Sequence, residues 1–382
     1  MMPPLRADRP DKRLMIPRQP FGRFFLPGPT EVSAEVLDAQ RRPMIGHRSA
    51  AMEVLFASLQ LGLRAVFRTK RPVYIATSSA TGLMEAALRN GARRRVLALV
   101  NGGFGERFYR IALACGFEAD ALRVAPGQVH TPELLVDALR RRDYDAVTVV
   151  HSETSTGALN PVAALAQTAR NASDVMLLVD SVSGIGGVAV ESDAWQLDFV
   201  FTGSQKALAL PPGLSFGVAH ERLLARARSA RGRGIYFDLV DFEAFVGRHQ
   251  PPHTPAVSLY YALDVQLERI AAETVEARWA RHTAMAERCW AWVDEMRERG
   301  FPLGILAPIG YRSPTVTCLT LPAGRSAPAV VAALAARGWT IGAGYGDLAA
   351  TTIRIGHMGD HTVAELEALL DALGEVVGRG KR

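Results

Sequence analysis

Short apolar runs recur at regular intervals between residues 73 and 220 of this chain, and helical patterns of polar and apolar positions separate them. Six of these runs are predicted to be strands: 73–76, 96–100, 146–150, 175–179, 199–203 and 214–220. Because they are apolar almost throughout, they are typical of strands buried on both faces of a mostly parallel sheet. Helices are predicted between several of them, at 82–88, 105–115, 132–142 and 161–171. The pattern indicates an α/β unit with helices on each side of the sheet.

The pattern changes after Pro255. Residues 258–299 contain neither Pro nor Gly and carry apolar positions at helical spacing, which predicts long helices. Further strands are predicted at 314–322, 339–344 and 351–356, and helices at 327–337 and 363–377. We therefore predict three parts, which are an N-terminal arm (1–23), a large domain (24–272) and a smaller α+β C-terminal domain (273–382).

The composition is that of a globular protein. Hydrophobic residues make up 48% of the chain and charged residues 21%, and the mean hydropathy is +0.07, which excludes disorder and fibrous repeats. The net charge of +6 over 382 residues is weak evidence for nucleic acid. No aromatic residues are interleaved with the arginine clusters, so we expect solvated surface there and no nucleic-acid partner.

The cysteines and the N-terminal segment indicate the cellular compartment in which the protein is expected. Cys115, Cys289 and Cys318 are odd in number and lack CxxC or zinc-like spacing, so we expect neither a disulfide framework nor a metal site. The basic N-terminal segment has no apolar core, and no run approaches 18 consecutive apolar residues. We therefore expect a cytoplasmic protein that does not contact a membrane.

The turns that follow the predicted strands hold most of the candidate chemistry, because ligands of open α/β sheets bind beyond the carboxyl ends of the strands. The first such turn contains Ser78, Ser79, Ala80 and Thr81 ahead of a predicted helix. Hydroxyls and free N–H groups at a helix N-terminus bind phosphate. Simple N-capping by Ser or Thr explains the same residues.

Asp180 and Lys206 follow two successive predicted strands, so they can meet at one edge of the sheet. A desolvated lysine can form a Schiff base with a carbonyl compound. An Asp beside it is the expected partner for the pyridinium nitrogen of pyridoxal phosphate (PLP). A solvated lysine and a loop-capping or ion-paired Asp are the alternative interpretations.

Three more residues fit the same ligand. Phe104 stands in a glycine-rich turn and could stack on a flat ring, although a core aromatic is an equal alternative. Ser155 could hydrogen-bond the ring oxygen or the substrate, or could simply stabilise a turn. Arg354 lies between two isoleucines in a predicted strand, where it could bind a carboxylate or form a structural ion pair.

Several motifs, taken together, resemble class V aminotransferases, and specifically their alanine–glyoxylate / serine–pyruvate branch. The most specific are ETSTG (153–157) and GSQKAL (203–208) with the downstream PPG (211–213). The others are GPTEV (28–32), GHRS (46–49), SSATGLMEAAL (78–88), VNGGFGERF (100–108), LLVDSVSGIGG (177–187), TPAVSLYYAL (254–263) and IRIGHMG (353–359). The resemblance extends from about residue 24 to the end of the chain.

The resemblance implies the PLP-transferase fold of type I, with a mostly parallel large-domain sheet and a smaller α+β C-terminal domain. It implies that PLP is held through a Schiff base on Lys206, with Asp180 at the pyridine nitrogen. Phe104 would stack on one face of the ring, and Val182 would lie against the other. The resemblance also implies that four residues hold the phosphate: Ser79, Ala80, Thr81 and Gln205.

Substrate and subunit contacts are implied in the same way. Arg354 would bind the substrate carboxylate, Ser155 would lie near the ring oxygen and the substrate, and the Gly28 loop would lie at the substrate mouth. In this family a homodimer partner completes the phosphate site from the stretch that matches residues 250–255, which makes Thr254 the candidate. This chain departs from the branch at Phe104, where Trp is frequent.

The implied activity is transfer of an amino group from a small amino acid, alanine-like or serine-like, to a 2-oxo acid such as glyoxylate or pyruvate. Ala80 and Thr81 replace Gly and His of some members, which leaves the substrate open. Phosphonate transaminases, lyases, epimerases and cysteine desulfurases of the same fold are alternatives. A binding protein that has lost catalysis is a further one. A nucleotide-dependent dehydrogenase is disfavoured, because no GxGxxG follows the first predicted strand.

Overall fold

The structure is a computed structural model that describes residues 20–172 and 174–378. Most of the predicted N-terminal arm, residues 1–19, lies outside the described residues. The division of the chain at residues 23 and 272 stays a prediction.

The structure contains the helices and strands that the sequence predicts, together with others that it does not predict. The strands are β1 (Phe24–Phe25), β2 (Tyr74–Ala76), β3 (Arg95–Val100), β4 (Glu118–Arg123), β5 (Ala146–Val150), β6 (Ser152–Glu153), β7 (Ala158–Leu159), β8 (Met176–Asp180), β9 (Phe199–Gly203), β10 (Ser215–Ala219), β11 (Gly304–Ile305), β12 (Thr317–Thr320), β13 (Thr340–Ala343) and β14 (Thr352–Ile355). The helices are α1 (Ala34–Ala39), α2 (Ala50–Phe67), α3 (Ala80–Gly91), α4 (Gly103–Ala114), α5 (Pro132–Arg141), α6 (Val162–Asn171), α7 (Glu221–Ser229), α8 (Leu239–Val246), α9 (Val257–Glu273), α10 (Val275–Glu298), α11 (Ala327–Ala335) and α12 (Val363–Gly378).

A mostly parallel sheet forms the larger layer. Among the described residues it has seven strands in the order β2-β10-β9-β8-β5-β3-β4. Strand β10 runs antiparallel to both of its neighbours, and the other pairs are parallel. Most strand residues are buried, as their apolar sequences predict. This confirms the predicted α/β class with a mostly parallel central sheet.

Strand β4 is the one member of this sheet that the apolar pattern does not indicate. Its sequence, EADALR, carries charge at both ends, and its residues are exposed or half-buried. It pairs with β3 alone, along the edge of the sheet. An edge strand needs no continuous apolar run, because one side of it meets solvent.

A second sheet, with strand order β1-β13-β14-β12-β11 among the described residues, packs with helices α10, α11 and α12. Strand β1 lies in the predicted large domain by sequence, yet it pairs in parallel with β13 of this sheet. The segment that leads from β1 into Gly28 therefore connects the two sheets. The long predicted helical stretch is two helices, which meet at Thr274, a residue with a φ of +71°.

Helix α2 is an amphipathic helix of the larger layer that the sequence pattern leaves unassigned. It is the one helix among the described residues that is long and apolar enough to span a membrane by length and composition. Its Phe56, Leu59 and Leu63 are buried in the core, and it packs along α9. Such burial is typical of a core helix. The side chains of Val54 and Leu61, each 72% exposed, lie on its outer face.

Candidate active site

A cavity of about 420 Å³ opens beyond the carboxyl ends of the large-sheet strands, where the sequence places the candidate chemistry. Nine of the predicted site residues line it: Gly28, Ser79, Ala80, Thr81, Phe104, Asp180, Val182, Gln205 and Lys206. They come from turns that lie far apart in the chain, and the sheet topology brings these turns together.

Lys206 lies in the turn after β9 and is only 6% exposed. Its ammonium nitrogen donates a hydrogen bond to the carbonyl of Pro27. Burial and, to a smaller extent, the nearby Arg354 lower the pKa of Lys206 to about 8, against the opposing effect of Asp180. Near neutral pH this amine therefore has a larger neutral fraction than an exposed lysine, and the neutral amine is the form that acts as nucleophile and base.

Gly28 packs directly against that lysine. A Cβ at this position would lie 2.5 Å from both Cε and Nζ of Lys206, and the φ of Gly28 is +100°. The backbone conformation therefore favours glycine here, and any side chain would also have to displace the end of Lys206. Gly28 lines the cavity, and the place of its loop at the substrate mouth stays a prediction.

Asp180 is the last residue of β8, and its side chain faces the same cavity. Its Oδ1 accepts a hydrogen bond from the backbone N–H of Val182, at 2.8 Å. Burial and, to a smaller extent, the nearby Glu153 raise the pKa of Asp180 to about 7, against the opposing effect of the Val182 hydrogen bond. A cationic group placed in this cavity would favour the ionised carboxylate.

The N-terminus of helix α3 forms another part of the wall. Ser79 is its N-cap residue, and the serine side chain makes no capping hydrogen bond. The first turn of a helix has N–H groups without intrahelical partners, and the helix dipole favours an anion there. With the side chains of Thr81 and Gln205 lining the same space, the arrangement suits a phosphate group.

Phe104 lies in the first turn of helix α4 and faces the lysine, whose Nζ is 5.9 Å from the centre of the phenyl ring. The guanidinium of Arg107 lies 4.8 Å from the same ring centre. Val182 lines the cavity as well. Phe104 and Val182 provide the apolar surfaces that a flat heteroaromatic ring requires.

Glu153 is a functional residue that the sequence reasoning missed. It is completely buried, and its Oε2 accepts hydrogen bonds from the N–H groups of Phe104 and Gly105, both at 3.1 Å. Its Oε1 accepts from the N–H and the hydroxyl of Ser155, at 3.0 and 2.6 Å. Glu153 therefore fixes the turn that presents Phe104. A charged residue within an otherwise uncharged run after a buried strand is the signal that could have found it.

Ser155 does not line the cavity of about 420 Å³. It lines a neighbouring cavity of about 760 Å³. Its hydroxyl donates to Glu153 and accepts from the N–H of Gly103, at 2.8 Å. In this structure Ser155 thus holds the Phe104 turn in place. A direct role toward the ring oxygen or the substrate stays a prediction.

Arg354 lies beside the smaller cavity, on β14. It donates to the carbonyls of Ala343, at 2.8 Å, and Thr154, at 3.3 Å. It forms no ion pair with any carboxylate among the described residues. A half-buried guanidinium with backbone partners alone retains the capacity to bind an external carboxylate.

Three predicted site residues do not line the smaller cavity: Ser155 and Arg354 lie beside it, and Thr254 lies away from it. Thr254 is exposed and lines a small cleft elsewhere, together with Thr77 and Tyr236 of the same chain. Its predicted role in the site of a partner subunit is untested. Within residues 20–172 and 174–378, no cluster of His, Cys, Asp and Glu could hold a metal ion.

A buried arginine forms hydrogen bonds to the turn that contains Lys206. Arg278 of helix α10 is 2% exposed and donates to the carbonyl of Ala207 at 2.7 Å through Nη2. The same nitrogen donates to Asp360, at 2.8 Å, and Nη1 donates to Glu273, at 2.8 Å. The residue after Lys206 is thus fixed to the segment that follows β14.

Comparison with known proteins places this geometry in a family. The family model for class V aminotransferases matches residues 84–368. An uncharacterised aminotransferase of Methanocaldococcus jannaschii is 36% identical, covering 88% of this chain and 87% of the relative. The L-aspartate–glyoxylate aminotransferase of Paracoccus denitrificans is 32% identical, covering 89% of this chain and 87% of the relative.

The solved structures agree. The alanine–glyoxylate aminotransferase of Nostoc sp. superposes with a TM-score of 0.89 at 30% sequence identity, covering 96% of this chain and 97% of that one. Its likeness extends over both sheets. On this combined evidence, the chain belongs to the class V aminotransferase family.

Proposed function

We propose that this protein is a PLP-dependent aminotransferase that moves an amino group between a small amino acid and a 2-oxo acid. One observation carries the proposal. A single cavity brings together a buried lysine with a lowered pKa, a buried aspartate and the open N-terminus of a helix, and an arginine without a carboxylate partner among the described residues lies beside it.

The residues fit PLP by their chemistry. The N-terminus of α3 would hold the phosphate, with Ser79, Thr81 and Gln205 as side-chain partners. Asp180, whose ionised form a cation would stabilise, would hold the proton on the ring nitrogen. Phe104 and Val182 would contact the two faces of the ring, and Lys206 would anchor the cofactor covalently.

When bound, PLP supplies an electron sink for the charge that develops at the substrate α-carbon. The amine of Lys206 would take the α-proton and return it to the adjacent cofactor carbon, since its lowered pKa makes the neutral amine available near neutral pH. Arg354 would orient the substrate by its carboxylate. Glu153 would keep the Phe104 turn in position throughout.

The similarity to an aspartate–glyoxylate and an alanine–glyoxylate aminotransferase supports a glyoxylate-like acceptor and a small amino donor. Among the alternatives, a desulfurase requires a reactive thiolate. Burial raises the pKa of Cys289 to about 12 and that of Cys318 to about 11, and it also raises the pKa of Cys115. These thiols are therefore protonated at neutral pH.

A panel of donors and acceptors tests the proposal. Purified protein supplied with PLP and alanine, serine or aspartate, together with glyoxylate or pyruvate, is expected to form the matching oxo acid and new amino acid, measured by chromatography. Epimerisation of the donor, or release of ammonia without amino transfer, would replace the proposal with an epimerase or a lyase. Sulfide released from added cysteine would indicate a desulfurase, and amino transfer from an added aminophosphonate alone would indicate a phosphonate transaminase.

Arg354→Gln is expected to raise the KM for donor and acceptor alike by about 100-fold, with a smaller change in kcat, because both substrates present a carboxylate and a charge-assisted bond contributes roughly 1.5–3 kcal/mol. Steady-state kinetics with each substrate varied in turn measures this. Arg140→Gln is the matched control, since Arg140 is 78% exposed on helix α5. An unchanged KM in the Arg354 variant would remove this residue from the substrate site.

We also propose that the active protein is a homodimer in which Thr254 completes the partner's phosphate site, and that it is cytoplasmic. The exposed apolar side chains of Val54 and Leu61 on α2 support a subunit contact, because such surface favours burial. Sedimentation equilibrium is expected to give a dimer, and Leu61→Glu is expected to weaken it. A monomer at micromolar concentration with full activity would contradict the dimer.

A further inference from the structure

Tyr345 lies at the junction of the two sheets, beside the candidate active site. It lies two residues after strand β13, in the segment that joins this strand to β14, which carries Arg354. Its ring packs against the turn of the larger layer that presents Phe104. The two ring centres are 5.8 Å apart, with 30° between the ring planes.

Contacts on several sides hold this ring in place. A Cβ at Gly103 would overlap the ring, with Cδ1 of Tyr345 at 2.5 Å, so the ring occupies space that any other residue at position 103 would need. The guanidinium carbon of Arg354 lies 5.8 Å from the ring centre. Arg107 donates to the tyrosine hydroxyl at 3.4 Å. Tyr345 therefore joins the proposed carboxylate-binding residue to the proposed ring-stacking residue.

The stacked pair separates two cavities. Phe104 lines the cavity of about 420 Å³ that holds the cofactor-binding residues, and Tyr345 lines the adjoining cavity of about 760 Å³. Thr81 and Arg107 line both, so the two spaces are direct neighbours. The Phe104–Tyr345 stack is thus part of the partition between a confined space and a roomier one.

We propose that Tyr345 is a specificity-determining residue that limits the amino donor to a small side chain. This inference rests on the proposed function, because it places the donor carboxylate on Arg354 and the donor α-carbon near Lys206. Those two points fix the amino acid and direct its side chain toward the walls beside them. The Tyr345 ring occupies the space next to Arg354, and a side chain of several carbons would have to displace it.

Binding of inert analogues to the PLP-loaded protein tests this inference. Amino acids with a 2-methyl group have no α-hydrogen, so they bind without being turned over, and the change in cofactor absorbance reports their Kd. The wild type is expected to bind 2-methylalanine at least tenfold more tightly than 2-methylleucine. Tyr345→Ala is expected to reduce this ratio by about tenfold, chiefly through tighter binding of 2-methylleucine.

Two variants serve as controls. Tyr345→Phe keeps the ring and is expected to keep the wild-type ratio, whereas a role of the hydroxyl would make it behave like Tyr345→Ala. Tyr311→Ala removes a tyrosine of equal exposure, 38%, from another loop and is expected to leave both Kd values unchanged. A ratio in Tyr345→Ala within twofold of wild type would overturn the inference, as would equal effects of the Phe and Ala variants.

The activity panel separates this inference from the proposed function. If alanine and leucine are both donors, the ratio of their kcat/KM values is expected to move with the Kd ratio of the analogues. If the wild type transfers no amino group from any donor, the proposed function fails. The analogue ratio then still decides whether Tyr345 restricts the site.

Discussion

Lys206→Ala is expected to abolish amino transfer, with turnover falling by at least about 1,000-fold, because the variant lacks both the covalent anchor for PLP and the base that takes the α-proton. The PLP-loaded wild type, reduced with borohydride and digested, is expected to carry the cofactor mass on the peptide that contains residue 206. The variant is expected to lose both this modification and the visible absorbance band.

A second lysine provides the matched control. Residues 20–172 and 174–378 contain one other lysine, Lys70, and it is exposed. Lys70→Ala is expected to retain activity, absorbance and labelling. Circular dichroism should show a folded Lys206 variant, since burying an ammonium group costs free energy and its removal relieves that cost. Turnover and labelling that survive in Lys206→Ala would show that another group carries the chemistry.

Asp180→Asn is expected to lower kcat by about 100-fold or more, because an amide cannot hold the ring nitrogen in its protonated form. The same substitution is expected to change how the stability of the cofactor-free protein depends on pH. In the folded protein the pKa of Asp180 is raised from its usual 3.8 to about 7. Between pH 4 and pH 7 the folded state therefore retains a proton that the unfolded chain releases.

This difference in bound protons sets the direction in which the stability of the folded state changes with pH. As pH rises from 4 to 7, ionisation of Asp180 destabilises the wild type by up to an amount on the order of 4 kcal/mol, and the Asn variant has no such dependence. The free energy of unfolding of Asp180→Asn, relative to wild type, is thus expected to be higher at pH 8 than at pH 5. Urea unfolding at several pH values measures it, with the exposed Asp137→Asn as control. A constant difference across this range would contradict the raised pKa.

The sequence predicted the main strands of the larger sheet because a strand buried on both faces must be apolar along its length. It indicated Asp180, Lys206 and the Ser79 turn as well, since each follows such a strand and strand ends gather at one edge, whereas Gly28 and Val182 came from the family resemblance alone. Strand β4 escaped prediction because its edge position imposes no apolar pattern. Helix α2 was left unassigned, although it is amphipathic and half of it packs in the core.

The contributions of Glu153 and Tyr345 depend on contacts that no local pattern encodes. Glu153 lies 49 residues from Phe104, and it is the fold that brings its carboxylate onto the phenylalanine N–H. Tyr345 lies 238 residues from Arg107, in the segment between β13 and β14, whereas Arg107 lies on helix α4. A position in the sequence directly after a strand is therefore enough to identify a candidate site residue. Residues that position a site residue through contacts between distant segments can be identified only from the structure.

The buried Arg278 has a consequence for how such an enzyme can vary. It binds the carbonyl next to Lys206 and also the carboxylate of Asp360, six positions beyond Arg354 in the chain. Arg278 of helix α10 therefore links the segments that carry Lys206 and Arg354, the proposed base and the proposed carboxylate-binding residue. Substitutions along α10 could change the distance between Lys206 and Arg354. The length of substrate that the site prefers would then change while every residue in contact with the substrate stays the same.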